Sequence, residues 1–234
     1  MRNLIKSLTK THKPAAPRPR GMCETPPAPS QAAFVTVLVI DASSSMESDD
    51  YPPSRLEAAK RGASAYLAHR VAQSAHDRIA VVSFRGNARV ECPLEDLKDS
   101  ARRIQNAIDS IAACGNTSIG AGLRAAEGLV LGAPSGWMTR LLGEPLRVAL
   151  PSGHVKRLIL LSDGGHNANP KPEPIADRLK AAGVQIDCVG IGAKDEVDEN
   201  LLRRLATSPD RYRFIADARE LFEHYRTLAK SLTL

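Results

Sequence analysis

The stretch FVTVLVID at residues 34–41 is an unbroken run of apolar and β-branched residues that ends in an aspartate. Such a run is typical of a parallel strand that is buried on both faces of a sheet. A polar segment follows it, and residues 54–72 then carry apolar side chains at helical spacing. The pattern predicts a buried strand, a polar loop and a helix, which together begin an α/β unit.

The same alternation of strands and helices continues along the chain. We predict further strands at 77–84, 88–94, 155–163, 184–192 and 211–217, and further helices at 94–111, 118–131, 175–183, 197–207 and 218–232. The strand at 88–94 is short, polar and preceded by a tight turn, which favours an antiparallel edge strand. The pattern therefore predicts an α/β three-layer sandwich with a mostly parallel central sheet, one antiparallel edge strand and helices on both faces.

Two segments fall outside this alternation. Residues 1–32 contain six basic residues, one acidic residue and six of the 16 prolines, so we expect a disordered basic tail before a domain at 33–234. Residues 133–154 are rich in proline and glycine and lack periodicity, which predicts an inserted loop. The single tryptophan, Trp137, lies in this loop, where it would either anchor an interface or fix the loop to the domain.

The net charge of +6 belongs mostly to the tail, because the other 202 residues hold 26 basic and 25 acidic side chains. A nearly neutral domain gives no reason to expect a nucleic-acid partner, although the tail itself could tether the chain to nucleic acid or a membrane surface. No apolar run approaches the ~18 residues of a membrane span. The chain start lacks the apolar stretch of a secretory signal, and the four cysteines form no CxxC pair, so we expect a cytoplasmic protein with free thiols.

Oxygen-bearing side chains follow the predicted strand ends. Asp41, Ser43 and Ser45 come at the end of the first strand, Thr117 precedes a helix, and Asp163 ends the strand at 155–163. Because the carboxyl ends of parallel strands meet at one edge of a sheet, we expect these side chains to lie together. Oxygen ligands select a hard cation, which predicts Mg²⁺, with Mn²⁺ or Ca²⁺ as alternatives.

These motifs resemble the metal-ion-dependent adhesion site of von Willebrand factor type A domains. The resemblance rests on Asp41-x-Ser43-x-Ser45, on GNTSIGAGL at 115–123 and on LILLSDGGHN at 158–167, and it covers roughly residues 33–232. It implies a Rossmann-like fold in which Ser43, Ser45 and Thr117 coordinate the cation directly, with Asp41 and Asp163 acting partly through water. Ser44 stands where many members have glycine, a minor departure.

The resemblance also implies a function. It predicts a non-catalytic, Mg²⁺-dependent interaction module, in which the cation accepts an Asp or Glu side chain of a partner protein. Among bacterial intracellular relatives, the short single-domain architecture is most similar to adaptors in stress or signalling systems with protein kinase or phosphatase partners. The alternative is an accessory subunit of a MoxR or chelatase-type AAA+ ATPase. A metal-dependent hydrolase is less favoured, because the sequence offers no clear general base.

Other residues near these motifs have two interpretations. Glu47, Asp49 and Asp50 would either hold a second, adjacent cation or form an acidic, solvated approach to the helix at 54–72. His166 and Asn167 would either contact a partner or be ordinary surface residues.

Overall fold

The computed structural model describes residues 33–74, 76–131 and 154–230. Within these ranges six strands form one sheet, namely β1 Phe34–Asp41, β2 Arg78–Phe84, β3 Ala88–Asp96, β4 Val155–Ser162, β5 Gln185–Ile191 and β6 Tyr212–Ile215. Their order across the sheet is β3-β2-β1-β4-β5-β6. β3 is antiparallel to β2, and every other neighbouring pair is parallel. This confirms the predicted mostly parallel sheet with one antiparallel edge strand.

Helices cover both faces of the sheet, which confirms the three-layer sandwich. The helices are α1 Arg55–Gln73, α2 Leu97–Asp109, α3 Ile119–Leu131, α4 Glu173–Ala181, α5 Glu199–Leu205 and α6 Ala218–Lys230, with short 3-10 turns at Ser44–Glu47 and Pro209–Arg211. One hydrophobic core lies between the sheet and α1, α2 and α6, and the other lies between the sheet and α3, α4 and α5.

β1 explains why its sequence is apolar without interruption. Val35, Val37 and Val39 contribute to the core beneath α3, while Leu38 and Ile40 contribute to the opposite core beneath α1 and α6. All five side chains are fully buried. A strand in the centre of the sheet contributes apolar side chains to both cores, because its alternate residues point to opposite faces.

The position of β1 also determines where a ligand site can form. The chain passes from β1 to β2 on one side and later places β4 on the other side of β1. Asp41 and Ser162 end β1 and β4 at the same edge of the sheet, since Ile40 pairs with Leu161 in the parallel register. A reversal of strand order at the carboxyl edge is the usual place for a binding crevice in such sheets.

The predicted start of the helix at 94–111 is wrong by three residues. β3 continues to Asp96 because Glu95 pairs with Ile79 and Asp96 pairs with Arg78 across the antiparallel edge, so α2 begins only at Leu97. The predicted tail at 1–32, Trp137 and all of the predicted loop except His154 lie outside the described residues. In the described ranges, no helix has the length and apolarity that crossing a bilayer requires.

Candidate functional site

Three loops at the carboxyl edge of the sheet are joined by backbone hydrogen bonds. The loop after β1 is tied to the loop before α3, because Cys114 N donates to Ala42 O at 2.8 Å and Ser44 N donates to Gly115 O at 3.0 Å. Gly115 has a φ of 75°, a left-handed conformation that glycine adopts without strain. These bonds bring the Asp-x-Ser-x-Ser motif beside the segment that carries Thr117.

The loop after β4 is joined to Thr117 in turn. Asn167 N donates to Thr117 O at 3.1 Å, and Thr117 N donates to Asn167 Oδ1 at 3.0 Å. Ser118 Oγ donates to Asn169 O at 2.9 Å. Gly120 permits this close approach, because a Cβ at that position would lie 1.8 Å from Pro170 O. The three loops are therefore positioned by one another as well as by the strands.

Asp41 is fully buried and both of its carboxylate oxygens accept hydrogen bonds. Ser43 N donates to Oδ1 at 2.9 Å, and Ser162 Oγ donates to Oδ2 at 2.7 Å. Burial in the first place, and the nearby charge of Asp163 in the second, raise the pKa of Asp41 to about 7. Both donors are neutral, so no positive group of the described residues forms an ion pair with this carboxylate.

Asp163 is linked to the two motif serines. Ser45 Oγ donates to Asp163 Oδ1 at 2.9 Å, and Ser43 Oγ lies 3.1 Å from Ser45 Oγ. Burial raises the pKa of Asp163, while Arg55 and then Ser45 oppose that shift. The structure thus gathers two carboxylates and at least two hydroxyls into one cluster of oxygen atoms.

Arg55, the first residue of α1, contacts this cluster through Asp163. Its Nη1 donates to Asp163 Oδ2 at 2.9 Å, its Nε and Nη2 donate to Asp50 at 2.8 and 2.7 Å, and its Nη2 also donates to Glu196 at 2.8 Å. These acidic partners raise the pKa of Arg55, and Arg55 lowers the pKa of Asp50. Asp50 is therefore the ion-pair partner of the helix start, in agreement with its interpretation as part of the acidic approach to α1.

The structure brings together Asp41, Ser43, Ser45 and Asp163, and it places Thr117 in the loop that is bonded to the motif loop. Sequence reasoning missed Arg55, which belongs to no motif, and Ser162, which lies within the quoted stretch LILLSDGGHN but was not named as a site residue. Asn167 is exposed, and its side-chain oxygen accepts a hydrogen bond from Thr117 N, a contact that the sequence did not predict. His166 is half-buried, its Nδ1 has no hydrogen-bond partner among the described atoms, and burial lowers its pKa.

Other metal chemistry has little support in the described residues. They contain no group of three or more His, Cys, Asp and Glu side chains arranged to hold a metal ion. Cys92, Cys114 and Cys188 are free thiols, and Cys23 lies outside the described residues.

Comparison with known proteins agrees with this fold. A curated UPF0353 protein of Mycolicibacterium paratuberculosis is 28% identical over 217 residues, and the match covers 85% of this chain but only 60% of the relative. A von Willebrand factor type A structure from Catenulispora acidiphila is 25% identical with a TM-score of 0.65, over 86% of this chain and 43% of that one. The chain thus spans about half of the length of the structural relative that it matches.

A second similar structure is proximal thread matrix protein 1 from the mussel byssus, described as having a zinc-occupied metal-ion-dependent adhesion site (MIDAS) motif. It is 21% identical with a TM-score of 0.66, over 86% of this chain and 48% of that one, and at this identity the likeness shows the fold. The family model for the von Willebrand factor type A domain matches residues 36–226, which is most of the chain. This protein therefore belongs to the von Willebrand factor type A domain family.

Proposed function

We propose that Asp41, Ser43, Ser45, Thr117 and Asp163 hold a divalent cation, with Mg²⁺ as the first choice, and that the domain uses it to bind an acidic side chain of a partner protein. Von Willebrand factor type A domains typically mediate protein–protein interactions, and this general role follows from membership of the family. The metal, its ligands and the acidic partner group are the parts that we propose.

The main support for the proposal is the way in which the buried aspartates are paired. Four aspartates are buried in the described ranges, and three of them are paired with an arginine: Asp77 with Arg70, Asp163 with Arg55 and Asp187 with Arg157. Asp41 differs from these three in receiving only neutral donors. Buried carboxylates are normally paired with a cation, because an isolated buried charge is costly. A bound divalent ion would complete the pattern at Asp41.

The donor set fits a hard cation. Carboxylate and hydroxyl oxygens are the groups that Mg²⁺ accepts, and it commonly uses one or two carboxylates with water completing its shell. Arg55 neutralises part of the acidic cluster, but Asp50, Asp163 and Glu196 outnumber it. The cluster therefore stays attractive to a cation in spite of the arginine.

The chain's own residues supply orientation. Ser43 N and Ser162 Oγ hold the two oxygens of Asp41, while Ser45 Oγ and Arg55 hold those of Asp163. Ser45 is exposed, so this end of the cluster faces solvent and is accessible to a partner. A bound cation would supply a Lewis-acidic centre with a position left for a carboxylate of the partner.

We propose a non-catalytic role for this site. Metal-assisted hydrolysis would need a general base beside the cation. In the proposed site Asp41 and Asp163 both hold the cation, and each of their oxygens also accepts a hydrogen bond within the protein. Neither carboxylate is then left to act as the base.

For the biological setting, we propose a cytoplasmic adaptor in a bacterial stress or signalling system with protein kinase or phosphatase partners. An accessory subunit of a MoxR or chelatase-type AAA+ ATPase is the alternative. The two settings differ in what the partner does. An ATPase partner would change its rate of ATP turnover on binding this domain, whereas a kinase partner would phosphorylate a substrate protein that the adaptor binds.

Isothermal titration of Mg²⁺ into the full, chelator-treated chain tests the metal site. We expect wild type and Asp49→Asn to bind Mg²⁺ and Asp41→Asn to lose binding. Asp49→Asn is the matched control, because Asp49 is an exposed aspartate in the same loop. Equal binding by Asp41→Asn and wild type would show that the site lies elsewhere.

Peptides on beads test the partner chemistry. Pairs of peptides that differ only by Asp or Glu against Asn or Gln are incubated with the protein in Mg²⁺ or in EDTA. We expect capture only by acidic members and only in Mg²⁺, with loss in Asp41→Asn. Capture that persists in EDTA would rule out the cation as the binding group.

A further inference from the structure

Arg55 touches a proposed metal ligand, although it is not part of any motif. It is buried, with 4% of its surface exposed, and it forms ion pairs with Asp50, Asp163 and Glu196. The distances of 2.7 to 2.9 Å are those of strong charge-assisted hydrogen bonds. The guanidinium is thus fixed by three acidic partners from three segments of the chain.

The pocket around the guanidinium depends on a glycine. Gly192 follows β5 with a φ of 111°, and a Cβ there would lie 2.9 Å from Arg55 Cζ. Gly192 N also donates to Tyr51 Oη at 3.1 Å, which fixes this loop beside Asp50. The close approach leaves the Arg55 side chain little freedom to leave Asp163.

The restricted position of Arg55 affects the second carboxylate oxygen of Asp163, Oδ2. Oδ1 accepts from Ser45 Oγ, a hydroxyl that can rotate its hydrogen away and offer a lone pair instead. Oδ2 accepts from Arg55 Nη1, which has no such freedom, because a guanidinium is a donor only. Asp163 can therefore present one oxygen to a ligand while the other stays with the arginine.

The geometry points to Arg55 as a selectivity-determining residue that favours Mg²⁺ over Ca²⁺ at the proposed site. Ca²⁺ takes six to eight oxygen ligands and often uses both oxygens of one carboxylate, whereas Mg²⁺ keeps octahedral geometry with few protein ligands. With its positive charge 2.9 Å from Oδ2, Arg55 repels a cation that would use both oxygens of Asp163, and so disfavours the two-oxygen mode. The inference rests on the proposed function, since it requires a divalent cation at Asp41 and Asp163.

A simpler role for Arg55 is that of a positive charge that weakens the binding of any cation. The two roles differ in one measurable quantity. Mg²⁺ and Ca²⁺ carry the same charge, so removing a positive charge that acts on the cation by repulsion alone strengthens the binding of both by a similar factor and leaves the ratio of their dissociation constants nearly unchanged. Releasing Oδ2 favours Ca²⁺ specifically and changes the ratio.

Isothermal titration of Mg²⁺ and of Ca²⁺ into the full, chelator-treated chain measures this ratio. For Arg55→Gln we expect the affinity for Ca²⁺ to rise relative to the affinity for Mg²⁺ by at least ~10-fold. Losing a residue that orients a metal ligand usually changes metal affinity on this scale. Arg61→Gln is the matched control on the exposed side of α1, and its ratio should equal that of wild type. An unchanged ratio in Arg55→Gln overturns the inference, even where both affinities rise.

Arg55→Lys provides a second variant, should the glutamine variant fail to fold by circular dichroism. Lysine keeps the charge but ends one atom short of Arg55 Nη1, the atom that reaches Asp163. We expect the same change in ratio, and a wild-type ratio would contradict the inference. Failure of the wild-type chain to bind either ion would instead refute the proposed function itself.

Discussion

Ser162 Oγ donates a hydrogen bond to Asp41 Oδ2 over 2.7 Å, and so joins the last residues of two neighbouring parallel strands. Both side chains are fully buried, and 121 positions of sequence separate them. With Ser43 N on the other oxygen, this bond leaves the Asp41 carboxylate little freedom to rotate. The orientation of a proposed metal ligand thus depends on how β1 and β4 are aligned in the sheet.

Ser162→Ala removes this bond while leaving the backbone of β4 unchanged. We expect the affinity for Mg²⁺ to fall by roughly 10-fold, because orienting partners of metal ligands usually contribute this much. The free energy of unfolding without metal should fall by about 1 kcal/mol or more, because a buried acceptor loses its donor. Isothermal titration and urea unfolding measure the two effects.

Ser83→Ala is the matched control for this change. Ser83 is equally buried near the end of β2, but its hydroxyl donates to Glu91 at 2.6 Å. Its removal should lower stability by a similar amount and leave Mg²⁺ binding intact. Identical Mg²⁺ affinities for the Ser162 and Ser83 variants would show that Ser162 does not position a metal ligand.

Gly120→Ala should separate the loop after β4 from the start of α3. The added Cβ would lie 1.8 Å from Pro170 O, so the backbone must move. Overpacking of this kind usually costs 1–3 kcal/mol, and the ~1 kcal/mol that alanine gains over glycine within a helix offsets only part of it. We expect a net loss of stability in urea unfolding, together with weaker Mg²⁺ binding, since Thr117 is tied to the same loop.

Gly165→Ala is the comparison for that experiment. Gly165 lies in the same loop, and a Cβ there would meet no atom within 4 Å. It should leave both stability and Mg²⁺ affinity near wild type. A Gly120→Ala variant that matches Gly165→Ala in both measurements would mean that the loop can move without affecting the site.

The fold was predictable because the decisive signals are local. β1 occupies residues 34–41 as the apolar run predicted, and its terminal Asp41 lies at the ligand-binding edge. That Asp41 and Asp163 lie close together follows from parallel sheets in general, because the carboxyl ends of neighbouring parallel strands meet at one edge. The cluster of Asp41, Ser43, Ser45 and Asp163 was therefore accessible from the sequence.

Arg55 was not predictable for the opposite reason. In sequence it is an ordinary basic residue at a helix start, where an acidic residue would be favoured by the helix dipole. Its position depends on Glu196 and Gly192, which lie more than 130 residues away and reach it only in the folded sheet. The predicted boundary between β3 and α2 was wrong for a similar reason. Asp96 pairs with Arg78 across the sheet, and this non-local pairing overrides the helical pattern of residues 94–96.

The ion pair of Arg157 and Asp187 should affect stability without affecting the site. Arg157 Nε donates to Asp187 Oδ2 at 2.6 Å, and Arg211 Nη1 donates to Oδ1 at 3.0 Å. Asp187→Asn leaves Arg157 buried without its counter-ion, so we expect a loss of ~3–5 kcal/mol in urea unfolding. Arg157→Leu should cost less, because Asp187 keeps Arg211.

Neither change should alter the Mg²⁺ affinity of the folded protein. Arg157 lies five residues before Ser162 on β4, about 16 Å along the strand from the carboxyl edge. A greater loss of stability in Arg157→Leu than in Asp187→Asn would contradict the assignment of Arg211 as a second partner.

His224 on α6 should make stability depend on pH. Burial first, and the positive charge of Arg213 second, lower the pKa of His224 from its ordinary value near 6.5, while Arg157 acts in the same direction and Asp187 and Glu220 oppose them. A histidine with a lowered pKa in the folded state contributes stability above its ordinary pKa. That stability is lost as the pH falls through 6.5, because the unfolded chain takes up the proton first.

We therefore expect His224→Gln to lose less stability than wild type between pH 7.5 and pH 5.5, as measured by urea midpoints at several pH values. Arg213→Gln should act in the same direction but more weakly, because the Arg213 side chain is 61% exposed and its charge is screened by solvent. The lowered pKa values of His166 and His69 should leave a residual slope in His224→Gln. A slope in His224→Gln as steep as that of wild type would show that the acid sensitivity arises at other groups.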